Sequence, residues 1–235
     1  MSKKEDVILF ISDLHAPYQH KDAIAFLAAI KKKYKPTRVY NVGDEVDYHA
    51  LSFHASDPDL DSAGIELCRA QATIQQLAKI FPKMDLVHSN HGSMVYRKAK
   101  VGGMPRHALK SYNEILGVGE GWTWHTDLTI EVKGHRPIYL CHGKKKNSEN
   151  YAKSLGCSVV QGHYHEDFRI GYLNSPGGTI WGMNVGCLID DKELAFEYNK
   201  INPNKPMLGC GIVVNGVPQL IPMHLDNKGN WNGRL

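Results

Sequence analysis

The chain has 235 residues, 42% of them hydrophobic and 22% charged, with a net charge of +4. That suffices for one substantial core, and so mild a charge does not by itself indicate a nucleic-acid partner. The longest apolar runs are strand-length, well below the roughly 20 residues of a membrane span. The five cysteines are scattered and form no C-x-x-C pair, which predicts free thiols in a reducing, cytoplasmic setting.

The first apolar run, in MSKKEDVILF, leads into Asp13 and His15. It reads as a buried strand over 6–13, not as a signal peptide. Residues 21–34 have helical periodicity, with lysines at the negative end of the helix dipole and Pro36 just beyond. Residues 37–44 predict a second strand, completing a strand–helix–strand unit of the kind that builds parallel sheets. A long helix follows at 63–81, then a strand at 84–91. The stretch 92–121 is basic and reads as loop or helix. Shorter strands are expected at 122–132, 137–143, 158–163, 168–173, 179–186 and 211–223. No repeat or linker interrupts the pattern, which predicts one α/β domain over 1–235 built on two sheets.

Polar residues collect where strands end. SDLH contributes Asp13 and His15, VGDEVD contributes Asp44 and Asp47, and SNHGS contributes Asn90 and His91. CHG contributes His142, and QGHYH contributes His163 and His165. In an extended chain, residues two apart point to the same side. The carboxyl ends of parallel strands line one edge, where ligands bind. Carboxylates, an amide and several imidazoles together suit a pair of divalent ions of the Mn²⁺, Fe, Zn or Ni type. Asp44 could bridge them, and Gly43 and Gly162 would permit sharp turns nearby.

The motifs Asp13-Leu14-His15, Gly43-Asp44, Ser89-Asn90-His91, His142-Gly143 and Gly162-His163-Tyr164-His165, in this order, resemble those of the calcineurin-like metallophosphoesterase superfamily. The resemblance covers roughly residues 6–190. It implies a four-layer α/β/β/α sandwich of two mixed sheets, with a dimetal site at the strand carboxyl ends. It also implies that Asp13, His15 and His165 hold one ion and that Asn90, His142 and His163 hold the other, with Asp44 bridging. His91 would act on the phosphoryl or leaving oxygen, and Asp47 would orient it. The implied reaction is in-line attack on phosphorus by a metal-bridged hydroxide, with Mn²⁺ the favoured metal. Ser89 and Gly92 depart from the usual glycine and acid, and Tyr48 stands where protein phosphatases carry an arginine. The layout through GCLIDDKELAFEYNK also looks similar to compact phosphoesterases encoded by bacteriophages.

Arg97 and Lys98 follow His91, and Lys144, Lys145 and Lys146 follow His142. Basic groups beside a dimetal centre predict phosphates flanking the scissile one, hence a phosphodiesterase or nuclease acting on DNA or nucleotides. A phosphomonoesterase acting on nucleotides or phosphoproteins, and a non-catalytic binding module, are the alternatives. The bland reading of these lysines is a solvated loop. The remaining histidines match no motif, although His49 and His54 follow Asp47 closely enough to line the pocket. Asp190 and Asp191 read as a turn. Oligomeric state is not legible.

Overall fold

The computed structural model describes residues 5–53, 57–199 and 203–235. In chain order the first half runs β1 (Val7–Ile11), α1 (Ala23–Tyr34), β2 (Arg38–Asn41), α2 (Ala63–Ile80), β3 (Met84–Val87), α3 (Met94–Val101) and α4 (Tyr112–Leu116). Then come β4 (Trp122–His125), β5 (Leu128–Ile130), β6 (Ile138–Cys141), α5 (Ser148–Leu155) and β7 (Ser158–Gln161). The rest is β8 (Phe168–Ser175), β9 (Gly178–Val185), β10 (Gly209–Val214) and β11 (Val217–Pro222). None of the described helices is long and apolar enough to cross a membrane.

The strands form a six-stranded sheet, ordered β11-β10-β1-β2-β3-β4, and a five-stranded sheet, ordered β5-β6-β7-β9-β8. β1 to β4 are mutually parallel, as are β6, β7 and β9; antiparallel partners lie at the edges. Both sheets are therefore mixed.

The alternation along β1 explains the layering. Side chains point alternately to opposite faces. Val7, Leu9 and Ile11 pack with Phe26, Leu27, Ile74 and Leu77 of the helices. Ile8 and Phe10 face the other sheet, meeting Leu140, Val160 and Met183. On the far face, Cys141, Val159 and Ile180 pack with Ala152 of α5. The layers are thus helix, sheet, sheet, helix. All of β1 is buried, as a strand covered on both faces must be.

The predicted strand at 122–132 is two strands in different sheets, β4 and β5. The predicted strand at 211–223 is the β10–β11 hairpin. Asn215 (φ 49°) and Gly216 (φ 81°) form its turn, the Asn-Gly pair that favours a two-residue hairpin. The sequence reading also passed over α5, which makes the β6–β7 connection a parallel crossover. Its ends carry clear signals. The Asn147 side chain accepts the Asn150 backbone N–H, and Gly156 closes the helix in the left-handed region.

Candidate metal centre

The functional side chains leave the carboxyl ends of five parallel strands. Asp13 and His15 follow β1, Asp44 follows β2, Asn90 and His91 follow β3, His142 follows β6, and His163 and His165 follow β7. Asp13, His15, Asp44 and His163 hold left-handed φ values of 49°, 50°, 52° and 73°. Such backbone is unfavourable for non-glycine residues and persists only where surrounding structure fixes it. Backbone bonds do so here: the Asp13 N–H donates to Gly43 O, and the His15 N–H to Asp44 O.

Gly43 serves the turn as expected, with φ 109°. Gly162 does not; its φ is not in the left-handed region, and it is needed because a Cβ there would collide with Ser12 and Asp13. The Ser89 departure also has a structural reason. Its hydroxyl accepts the Asp44 N–H (2.8 Å) and the Gly92 N–H (3.1 Å), tying the β2 and β3 loops together.

Three overlapping groups of potential ligand atoms result: Asp13, His15 and His165; His15, Asp44 and His91; and Asp44, His142 and His163. Asp44 belongs to two of them. His165 Nε2 lies 3.1 Å from Asp13 Oδ1 and 3.2 Å from His15 Nε2. His142 Nδ1 donates to the Val42 carbonyl at 2.8 Å. That fixes the tautomer and leaves Nε2 as the inward-facing atom, buried and without a hydrogen-bond partner. It faces Asp44 Oδ2 at 3.0 Å. Two acceptors so placed require a proton or a cation between them. The donor set, imidazole nitrogen with carboxylate oxygen, fits a divalent transition metal. Asn90, His15, Asp44, His91, His163 and His165 line a shared cavity of about 230 Å³.

Electrostatics follow from burial and proximity. Burial opposes ionisation of Asp13, but hydrogen bonds from His15 and His165 hold its carboxyl well below the usual range. Asp44 behaves likewise, through His142 and His91. Burial opposes charge on His142, yet Asp44 and Asp13 raise it to about 9. His163 is pushed down by burial and by His142.

His91 donates its backbone N–H to Asp44 Oδ1 at 3.0 Å. Its Nδ1 faces Asp47 Oδ1 at 2.8 Å, leaving Nε2 to the cavity. Burial opposes its charge, but Asp44 and Asp47 raise its pKa above the ordinary value.

The basic residues are less uniform. Arg97 donates to Asn90 O at 2.9 Å and, with Lys98, covers the Phe53 ring. Lys145 turns back onto α5, over Tyr151 and toward Ser154. Lys146 pairs with Glu166 at 2.8 Å. Lys144 is exposed beside His142. His49 opens a 3₁₀ turn and lines no part of the site cavity; His54 lies outside the described residues. Asp190 accepts the Lys192 N–H, as a turn residue does.

Three site residues escaped the sequence reading. Glu45, next to Asp44, is buried and accepts the Trp124 indole N–H at 2.9 Å; burial raises its pKa. Glu166 lines the cavity, and its position directly after His165 was the available signal. Phe196 packs edge-on against His15 at 5.4 Å and His165 at 6.4 Å; no local pattern announces it.

No protein-family model matches the sequence, and no curated protein does. Solved structures do. The chain is similar to the hypothetical protein PH1004 from Pyrococcus horikoshii OT3, with TM-score 0.52 and 11% identity over 94% of this chain and 89% of that one. The likeness is one of fold, a helix, sheet, sheet, helix sandwich of two mixed sheets. Within this fold the chain is also similar to Yfce, a phosphoesterase from E. coli, with TM-score 0.48 and 15% identity over 95% of each chain. Vps29 from Cryptosporidium parvum is a further similar structure, with TM-score 0.45 and 16% identity over 92% of this chain and 96% of that one.

Proposed function

We propose that this chain is a dimetal-dependent phosphoester hydrolase of the calcineurin-like metallophosphoesterase kind, acting as a phosphodiesterase on nucleotides or a nucleic-acid strand. Asp13, His15 and His165 would hold one ion and Asn90, His142 and His163 the other, with Asp44 between. The observation that carries the reading is the pair of His/Asp triads, Asp13–His15–His165 and Asp44–His142–His163, opening onto one cavity with His91 beside them. Bound Mn²⁺ ions would supply Lewis acidity to the phosphoryl oxygens and lower the pKa of a water.

The chain's own residues supply the rest. Asp47 accepts from His91 Nδ1 and fixes the ring. With Nδ1 so held, Nε2 faces the cavity, where it would pass a proton to the leaving oxygen. Arg97 at the Asn90 rim and exposed Lys144 beside His142 supply positive charge for flanking phosphates.

The test is a panel of bis-nitrophenyl phosphate, nitrophenyl phosphate and single-stranded DNA, with Mn²⁺ and then with excess chelator. Metal-dependent turnover, faster on the diester, is expected. Turnover unaffected by chelator would overturn the reading, and a clear preference for the monoester would move it to the phosphomonoesterases.

A further inference from the structure

A second cavity, of about 460 Å³, borders the loop that carries Asn90 and His91; His88, Tyr96, Lys100, Arg106, Leu109 and Tyr112 are among its lining residues. This volume falls within the roughly 300–1,000 Å³ typical of small-molecule sites. We propose that it holds the nucleobase of a substrate whose phosphate occupies the metal cavity. The inference rests on the hydrolase reading above and names its substrate as a nucleotide.

Three observations converge. Aromatic rings line one wall: the Tyr96 and Tyr112 rings lie 4.4 Å apart, and His88 lies 5.2 Å from Tyr112. The Arg106 guanidinium sits 5.0 Å from the Tyr96 ring centre. Stacking on aromatic and guanidinium planes is how proteins hold unpaired bases. Second, Lys100 and Arg106 are exposed at the rim, matching the negative charge a nucleotide carries.

Third, the two cavities border one loop, 88–93. His88 and Ser93 line this one, while Asn90 and His91 line the other. With consecutive Cα atoms 3.8 Å apart, Asn90 and Ser93 are separated by at most about 11 Å. One ligand can therefore reach both.

The probes are AMP and ribose 5-phosphate, which share a phosphate and differ by the base. Calorimetry on the Mn²⁺-loaded protein, with Trp124 fluorescence as a second readout, compares them. AMP is expected to bind at least about tenfold more tightly, the size of one stacking contact. Arg106→Ala, at an exposed position, is expected to weaken AMP several-fold. It is not expected to alter ribose 5-phosphate binding. Equal binding of the two probes by the parent, or equal losses for both probes in the variant, would overturn the inference. If no phosphoester is turned over but AMP retains its advantage, the hydrolase reading fails and the base pocket stands.

Discussion

Asp44→Asn keeps the shape of a side chain and removes its charge. In the metal-free protein Asp44 Oδ2 lies 3.0 Å from His142 Nε2, and both side chains are buried. Burial opposes charge on His142, but the carboxylate prevails and lifts the imidazole from 6.5 to about 9. At 1.36 kcal/mol per pH unit, that displacement is worth about 3 kcal/mol. The sign follows from a folded-state value above the unfolded one. The stabilisation is complete below the unfolded pKa of 6.5 and is lost as pH rises through about 9. His15, raised in part by the same carboxylate, adds in the same direction. Urea denaturation in excess chelator, near pH 6 and again near pH 9.5, measures the difference. The parent is expected to lose at least about 3 kcal/mol between the two conditions, and the variant less than half of that. Equal losses in both proteins would refute the coupling between Asp44 and His142.

Chelation is expected to abolish phosphoesterase activity and Mn²⁺ to restore it; elemental analysis of the reconstituted protein should find up to two ions per chain. His91→Ala is expected to lower kcat by about 10²–10⁴ with metal content intact, and by less on substrates with very good leaving groups. Ser89→Gly removes the acceptor for two backbone N–H groups and should cost about 1–3 kcal/mol of stability by denaturant titration. Lys144→Gln should reduce the log–log salt slope of single-strand binding by about 0.7. Lys145→Gln, at a side chain already turned onto α5, should change it little.

The legible parts of the fold are those written in local patterns. The unbroken apolar run of β1, the helical periodicity of α1, and motifs in which strands give way to polar residues could be read directly. Sheet membership could not. Nothing local in 122–132 says that Trp122 pairs with Met84 while Leu128 pairs with Leu140 in the other sheet. α5 was missed because its flanking lysines and polar face look like loop composition. Its Asn147 and Gly156 caps were the better evidence. In the site, ligand-type residues stood out by chemistry and spacing. Phe196 did not, because its contact with His15 spans 181 residues of chain and depends on tertiary packing.

The chain leaves the first sheet after His125 and enters the second at Leu128. Asp13, His15, Asp44 and Asn90 precede that crossing; His142, His163 and His165 follow it. Each proposed ion therefore draws donors from both sides of one short connector. β10 and β11 then return to complete the first sheet beside β1. Split at the connector, the protein would yield two fragments, each with only part of either coordination sphere. Their reunion would be a metal-titratable event, with manganese concentration setting the fraction joined. The connector is thus a natural place to divide the protein into a two-piece reporter of metal.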